Sequence, residues 1–202
     1  MSKRYFDQDV AYRLLKKDLQ KQYSKDVVER IYENAAHRLD ELKEKYQEMP
    51  KEDKVHTLTS IFLRIAMYEA LKEELPEEAL NIMNAIVNKT GNMVGNFLHY
   101  LTKIPGMKSI FLKVFSSLTK THFGPSAGFS QHIHIDTAKE LKFDILDCPY
   151  CRYCKKCGCE ELITTFCDSD VYCYGNLSGI SFDRTKTLGT GGDCCDFHLR
   201  KN

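Results

Sequence analysis

Apolar residues recur every three or four positions through the first half of the chain, the spacing of amphipathic helices. The apolar positions of a first predicted helix are Ala11, Leu15, Leu19 and Tyr23. Those of a second, longer helix are Val28, Ile31, Ala35, Leu39, Leu42 and Tyr46. Asp7 can cap the first helix and Ser24 the second, which Pro50 ends. Both helices therefore present one apolar face to a core and one charged face to solvent.

The same periodicity predicts further helices up to residue 122. A third helix spans about 51–75, and a shorter fourth helix stops at Gly91, a suitable left-handed cap. From 92 to 122 the chain is unusually apolar and is interrupted by Pro105 and Gly106, with lysines spaced among the apolar residues. Such a hairpin could touch a membrane surface or pack in the core. We interpret it as core or as a dimer contact.

The periodicity changes from helical to alternating near Gly124, which predicts strands after it. Two antiparallel strands are expected at about 131–136 and 141–146, and two more at about 180–188 and 195–200. Cys148 and Pro149 predict the start of a helix that ends at Gly158, and a second helix opens at Glu160.

This order of elements predicts an α+β fold. A helical region, residues 1–123, precedes a cysteine-rich region, residues 124–202, which carries a small antiparallel sheet with two short helices. We expect the two regions to form one integrated domain, because 202 residues are enough for one ordinary core.

Charge and hydropathy exclude several classes of function. The formal net charge is +1, so no broad basic field favours nucleic acid as the main partner. The first residues lack the apolar core of a secretion signal, and no apolar run approaches the roughly 18 residues of a membrane span. We therefore expect a cytoplasmic protein.

All nine cysteines lie after residue 147, so the chemistry is expected there. In a reducing compartment an odd number of cysteines indicates metal ligands or catalytic thiols rather than a disulfide framework. The candidate ligands of a zinc ion or iron–sulfur cluster are Cys148, Cys151, Cys154, Cys157 and Cys159. A helical segment would spread their sulfurs around the helix axis, so a metal needs a loop or an opened turn here.

Individual residues support thiol chemistry as the other interpretation. Cys148, at a predicted helix N-terminus, is a candidate nucleophile because free N–H groups favour its thiolate. Arg184, among apolar neighbours, needs an anionic partner, which could be a substrate carboxylate, Asp170 or Asp196. Asp196 and His198 share one face of the last strand and could form an acid/base pair. Strict alternation places Cys195 on the opposite face unless the strand carries a bulge.

Several of these residues form a recognisable pattern. It comprises Cys148-Pro-Tyr, Gly158-Cys-Glu-Glu-Leu, Phe166-Cys167 with Asp170, Arg184-Thr-Lys-Thr187-Leu, Gly191 and Cys195-Asp196-Phe197. In this order they resemble the L-2-amino-thiazoline-4-carboxylic acid hydrolase family, over about residues 143–200. The resemblance implies hydrolytic opening of a five-membered aminothiazoline ring to N-carbamoyl-cysteine, on a bacterial route to cysteine.

The resemblance also implies a site. Its catalytic candidates are Cys148, Cys167, Cys195, Asp170 and Asp196. Its substrate-binding candidates are Arg184, Thr185 and Thr187, to which we add His198. In this hypothesis a thiolate attacks the ring carbon, an aspartate handles the proton and Arg184 holds the substrate carboxylate.

Two questions stay open at this point. The remaining cysteines go beyond the family pattern and leave room for a metal-binding redox or sensor module without hydrolase activity, or for a metal-activated water. The helical half could line the pocket or form a homodimer, since its pattern permits either.

Overall fold

The computed structural model describes residues 2–202, which form an α+β fold, as the sequence predicts. The helices are α1 (Lys3–Gln8), α2 (Val10–Leu19), α3 (Lys25–Lys45), α4 (Lys54–His56), α5 (Phe62–Glu74), α6 (Ala79–Lys103), α7 (Met107–His122), α8 (Pro149–Cys157) and α9 (Ile163–Tyr174). A π-helical turn, Thr57–Ile61, joins α4 to α5. The strands are β1 (Ser130–Asp136), β2 (Glu140–Asp147), β3 (Ile180–Asp183) and β4 (Cys195–Lys201).

The caps of the first helices follow local side-chain chemistry. Ser24 caps α3 as expected, since its side chain accepts a hydrogen bond from the backbone N–H of Val27. The prediction that Asp7 caps the next helix was wrong: Asp7 lies inside the short helix α1, and Asp9 caps α2 instead. Two carboxylates stand two positions apart here, and the sequence pattern did not distinguish them.

Gly91 does not end a helix, contrary to the prediction. The helix α6 continues through it to Lys103, because Gly91 and Gly95 allow close packing against α9. A Cβ at position 91 would lie 2.7 Å from the Cβ of Tyr172, and one at position 95 would overlap the carbonyl oxygen of Tyr172. These glycines therefore serve helix packing rather than a left-handed cap.

The expectation that residues 92–122 belong to the core was only partly correct. In α7 the buried side chains are Leu112, Ser116 and Thr119, whereas most of the large apolar side chains of this segment are exposed. The structure holds a single copy of the chain, so a dimer contact stays a prediction.

The sheet is antiparallel throughout, with strand order β1-β2-β4-β3. The hairpin of β1 and β2 is confirmed. Strand β3 is shorter than predicted: residues 184–187 leave the sheet, and a 3-10 turn, Leu188–Thr190, follows. Strand β4 pairs with β2 from Cys195 to Arg200 without a register shift.

One apolar cluster spans the helical region and the cysteine-rich region. It runs from Phe6 in α1 to Phe166 in α9 and includes Cys154 and Tyr153 of α8. A second cluster joins α7 to the sheet around Leu112 and Phe143. The candidate site lies between these two clusters. Within residues 2–202, no helix combines the length and hydropathy required to span a membrane.

Candidate active site

A cavity of about 280 Å³ lies between the sheet and helices α5, α7, α8 and α9. Pockets for drug-sized ligands measure roughly 300–1,000 Å³, so this cavity suits a smaller molecule. Its aromatic wall includes Phe115, Phe123, Phe129, Phe143, Phe166 and Phe197. The reactive or charged side chains that line it are Cys148, Cys151, Cys167, Cys173, Cys195, Arg64, Asp170 and Arg184. Five of the nine cysteines therefore converge on one largely apolar space.

Cys148 and Cys151 form a thiol pair at the start of α8. Cys148 is the N-cap residue, Pro149 occupies the first turn, and Gly158 ends the helix in the left-handed region with φ of 70°, all as predicted. The hydrogen bond between the two thiols raises the pKa of Cys148 and lowers that of Cys151. Cys151 is thus the thiol of the pair that ionises more easily, contrary to the expectation that the helix N-terminus favours a thiolate at Cys148.

The helical geometry of α8 separates the candidate metal ligands. The free thiols of Cys154 and Cys159 form a hydrogen bond with each other, away from the cavity. The Cys157 thiol contacts the Tyr46 hydroxyl at 3.7 Å. Across residues 2–202, no three Cys, His, Asp or Glu side chains are grouped so that they could hold a metal ion. The metal alternative built on Cys148, Cys151, Cys154, Cys157 and Cys159 gains no support from this arrangement.

Cys167 and Cys195 approach the same cavity from α9 and β4. The backbone N–H of Leu188 donates to the Cys195 sulfur at 3.2 Å, yet burial raises the pKa of this thiol to about 12. Burial also raises the pKa of Cys167, against a hydrogen bond with Thr187 that lowers it. Both thiols are therefore protonated near neutral pH and ionise less easily than Cys151 on α8.

Arg184 and Asp170 form an ion pair in the cavity wall. The guanidinium Nη1 lies 2.8 Å from the Asp170 carboxylate, and Nη2 donates to the Cys167 carbonyl oxygen at 2.9 Å. The Arg184 side chain is only 6% exposed. Of the partners left open by the sequence, Asp170 is thus the one that Arg184 contacts. Burial raises the pKa of Asp170 to about 6, although the charge of Arg184 acts in the opposite direction.

Arg64, from α5, is a second guanidinium at the cavity, and the sequence analysis missed it. It donates to the Thr165 carbonyl oxygen at 3.1 Å and lies over the Phe166 ring, 4.0 Å from its centroid. Among the residues described, no carboxylate forms an ion pair with it, and burial lowers its pKa. The acidic residue Asp9 acts on it only at a distance, since its side chain caps α2. The cavity thus contains two guanidinium groups and one carboxylate.

Tyr150 and His56 form a hydrogen-bonded chain at the cavity edge. The Tyr150 hydroxyl lies 2.9 Å from His56 Nδ1, and His56 Nε2 lies 2.6 Å from the His122 carbonyl oxygen. A carbonyl oxygen can only accept, so Nε2 carries the ring proton and Nδ1 accepts from Tyr150. Burial lowers the pKa of His56, which favours this neutral form.

The other predicted site residues lie outside the cavity wall. Asp196 accepts hydrogen bonds from the backbone N–H groups of Thr185 and Lys186 and from the Thr185 hydroxyl, at 2.6 to 2.9 Å. Burial alone would raise the pKa of Asp196, but these hydrogen bonds lower it. His198 does not pair with Asp196 as predicted, because its ring contacts Glu140 at 2.6 Å. Asp196 therefore fixes the position of the loop that follows β3.

Thr187 stands between that loop and the cavity. Its hydroxyl accepts from the backbone N–H of Thr190 and contacts Cys167. Since β4 pairs without a bulge, Cys195 faces the cavity and Asp196 faces away, as strict alternation requires.

Comparisons with known proteins identify the family. The family model described as L-2-amino-thiazoline-4-carboxylic acid hydrolase matches residues 55–199, which include all residues of the cavity wall. The match begins in α4, so it extends well into the helical half. The search of curated proteins returns no significant match. Because the family match covers well over half of the chain, the chain belongs to the L-2-amino-thiazoline-4-carboxylic acid hydrolase family.

Proposed function

We propose that the protein hydrolyses a small carboxylated sulfur–nitrogen heterocycle, 2-aminothiazoline-4-carboxylate or a close relative, in the cavity between α5, α8, α9 and the sheet. The observation that carries this proposal is the Arg64 guanidinium, which faces a cavity with five thiols and has no carboxylate partner among residues 2–202. A half-buried cation without a counter-ion is favourable only if it gains an anionic partner, and a ligand carboxylate is one.

Arg64 would hold the substrate carboxylate, the role that the sequence gave to Arg184. Arg184 is already satisfied by Asp170 and by the Cys167 carbonyl oxygen. Apart from the thiols, the cavity wall carries one net positive charge when Asp170 is ionised, and Arg64 is the cation left without a carboxylate, so it can pair with a single substrate carboxylate. The aromatic wall would contact the two faces of the flat ring.

The thiol pair of Cys148 and Cys151 would supply the nucleophile. Its thiolate adds to the amidine-like ring carbon, the bond from that carbon to the ring sulfur breaks, and the sulfur departs as a thiolate that takes up a proton. The ring carbon then remains attached to the protein as an isothiourea. Water adds to the same carbon, the protein thiolate leaves, and N-carbamoyl-cysteine is released. One water molecule is consumed in total.

Asp170 would handle the proton in the second half of this reaction. A carboxylate with a pKa of about 6 is a useful base near neutral pH, because it is ionised yet holds a proton better than an ordinary aspartate. Arg184, bonded to one Asp170 oxygen, would act as a positioning residue that keeps this carboxylate at the cavity wall.

The cytoplasm is the location that we propose for this activity, because a hydrolase that uses a thiolate needs its thiols reduced.

The test is turnover of 2-aminothiazoline-4-carboxylate by the reduced protein, with N-carbamoyl-cysteine measured by mass spectrometry. We expect Cys148→Ser combined with Cys151→Ser to abolish turnover, since no other thiol at the cavity combines a lowered pKa with access to it. Cys157→Ser is the matched control, because Cys157 lies on the same helix but not in the cavity wall.

Each outcome is informative. Trapping a protein adduct that carries the opened substrate, on Cys148 or Cys151, would support the covalent route. Full turnover by the double variant would exclude a thiolate of this pair and leave either another cavity thiol or a water directly activated by Asp170. Binding of the heterocycle without any turnover by the unaltered protein would refute the hydrolase and leave a binding protein.

A further inference from the structure

The helices α6 and α7 carry an exposed apolar surface that the hydrolase proposal does not use. We name it the α6–α7 apolar face and define it by Phe97, Tyr100, Ile104, Ile110, Val114 and Leu118. The three positions on α7 repeat every four residues and form a continuous stripe. On α6, Phe97 and Tyr100 are three residues apart, and Ile104 is the cap residue directly after the helix. Phe97 is 65% exposed and Tyr100 67%. Grouped exposed side chains of this size mark an interaction surface, unlike single scattered ones.

The Asp, Glu, Lys and Arg content of the segment that carries this face is of one sign. From residue 79 to residue 135 the sequence has no Asp or Glu but five lysines, although the whole chain has a net charge of only +1. The rest of the chain is therefore net negative. Two of the five lysines have acidic partners in the fold: Lys89 pairs with Asp18, and Lys120 with Asp136. The other three are Lys103, Lys108 and Lys113, next to the apolar stripes.

These three lysines have no ion pair within residues 2–202. Lys103 and Lys113 are exposed and free to meet an external anion, whereas the ammonium group of Lys108 lies against Gly179. Lys103 lies 5.0 Å from the centroid of the Tyr100 ring, so its charge sits at the border of the apolar stripe. An apolar stripe bordered by lysines, with aromatic rings at the boundary, is the pattern of a helix that lies in a membrane interface.

We propose that the α6–α7 apolar face binds the surface of a membrane that contains anionic lipids. A second copy of the chain fits less well, because a symmetric contact through this face would bring two sets of unpaired lysines together with no acidic residue between them. An anionic lipid surface supplies the opposite charge and covers the apolar side chains at the same time. The contact lies along the surface, since the helices do not span a membrane.

The experiment is co-sedimentation of the reduced full chain with vesicles of phosphatidylcholine alone and with vesicles of an equal mixture of phosphatidylcholine and phosphatidylserine. We expect sedimentation with the mixed vesicles and much less with phosphatidylcholine, and we expect added salt to release the protein. Lys103→Gln combined with Lys113→Gln should weaken partitioning about thirty-fold, since each lysine near an anionic surface contributes about 1 kcal/mol.

The apolar contribution is tested by Phe97→Ser combined with Val114→Ser, which should abolish sedimentation with the mixed vesicles. Val10→Ser is the matched control: Val10 is 60% exposed and lies on α2, away from this face. Circular dichroism of all variants separates lost binding from lost folding. No binding of the folded protein to the mixed vesicles overturns the proposal. The proposal is also overturned if sedimentation velocity shows a dimer that the Phe97 and Val114 substitutions dissociate, because the face would then bind a second copy of the chain.

Discussion

Replacing Arg64 by Gln tests the assignment of the substrate carboxylate most directly. The substitution removes the positive charge from the cavity wall and leaves a polar side chain of similar reach. Arg64 has no acidic partner in the fold, so its replacement leaves no carboxylate of the protein uncompensated. Substrate binding should therefore suffer, while the folded state should not.

The size of the effect follows from the contacts involved. A hydrogen bond to a charged group contributes about 1.5–3 kcal/mol, which corresponds to a roughly ten- to 150-fold rise in KM. The turnover number should change little, because the carboxylate is attached away from the reacting carbon and is bound equally before and during the reaction. Loss of the Thr165 hydrogen bond and the Phe166 ring contact is offset by relief from burying a charge, so the free energy of unfolding should change by less than about 1 kcal/mol.

Arg184→Gln is the matched comparison on the other guanidinium. It should lower the free energy of unfolding by roughly 2–3 kcal/mol, because Asp170 loses its ion-pair partner. This loss of unfolding free energy is smaller than that expected for breaking a fully buried ion pair, because the Asp170 side chain is 32% exposed.

The assay compares the acid with its neutral carboxamide on the same ring. The unaltered protein should prefer the acid, and Arg64→Gln should lose that preference, while Arg184→Gln should keep it in whatever fraction is folded. Urea unfolding of both variants supplies the stability comparison. If Arg64→Gln still discriminates acid from carboxamide, or if Arg184→Gln alone loses the discrimination, the assignment of the carboxylate to Arg64 is wrong.

Further predictions concern protonation and packing. Because Asp170 has to be ionised to accept a proton, kcat/KM should fall as the pH drops through about 6, and Asp170→Asn should be nearly inactive at every pH. The pKa of Asp170 is higher in the folded state than its ordinary value of 3.8, so protonation favours folding: its contribution to stability is present below 3.8 and is lost as the pH rises through about 6. Urea midpoints between pH 4 and pH 7 should reveal this loss in the unaltered protein relative to Asp170→Asn. Gly95→Ala should destabilise the fold by about 1–3 kcal/mol, because the added methyl group overlaps the Tyr172 carbonyl oxygen. The control is Asn96→Ala, an exposed position on the same helix, which should be neutral or slightly stabilising. Equal unfolding midpoints for the two variants would contradict the packing argument.

Local signals in the sequence were enough to predict much of the fold. A hydroxyl cap at Ser24, the Cys148-Pro149 start and the Gly158 end of α8 act within a few residues, so the sequence around them contains the whole cause. Gly91 shows where this reasoning fails. A glycine that ends a helix and one that admits a neighbouring helix look the same in sequence, and only the position of Tyr172 distinguishes them.

The site was predicted in part for a similar reason. Cys148, Cys167, Cys195, Asp170 and Arg184 lie close together in sequence and were all expected at the site; the structure brings them to one cavity. Arg64 was missed because it lies far earlier in the chain, and its charge alone does not place it beside the cysteine-rich region. Its sole local signal is its spacing: His56, Ser60 and Arg64 are four residues apart through the π-helical turn, so they follow one side of the helix.

The contact between His56 and the His122 carbonyl oxygen sets the hydrogen-bonding character of one part of the cavity wall. Since His56 accepts the proton of Tyr150, the phenol turns its hydrogen away from the cavity and offers only oxygen lone pairs to a ligand. A backbone atom at the end of α7 thus makes this part of the wall a hydrogen-bond acceptor. Such a wall selects ligands that present an N–H group, as the exocyclic amine of an aminothiazoline does, and disfavours a ring that carries a carbonyl oxygen in that place. Protonation of His56 would reverse this preference, because Tyr150 would then be free to donate.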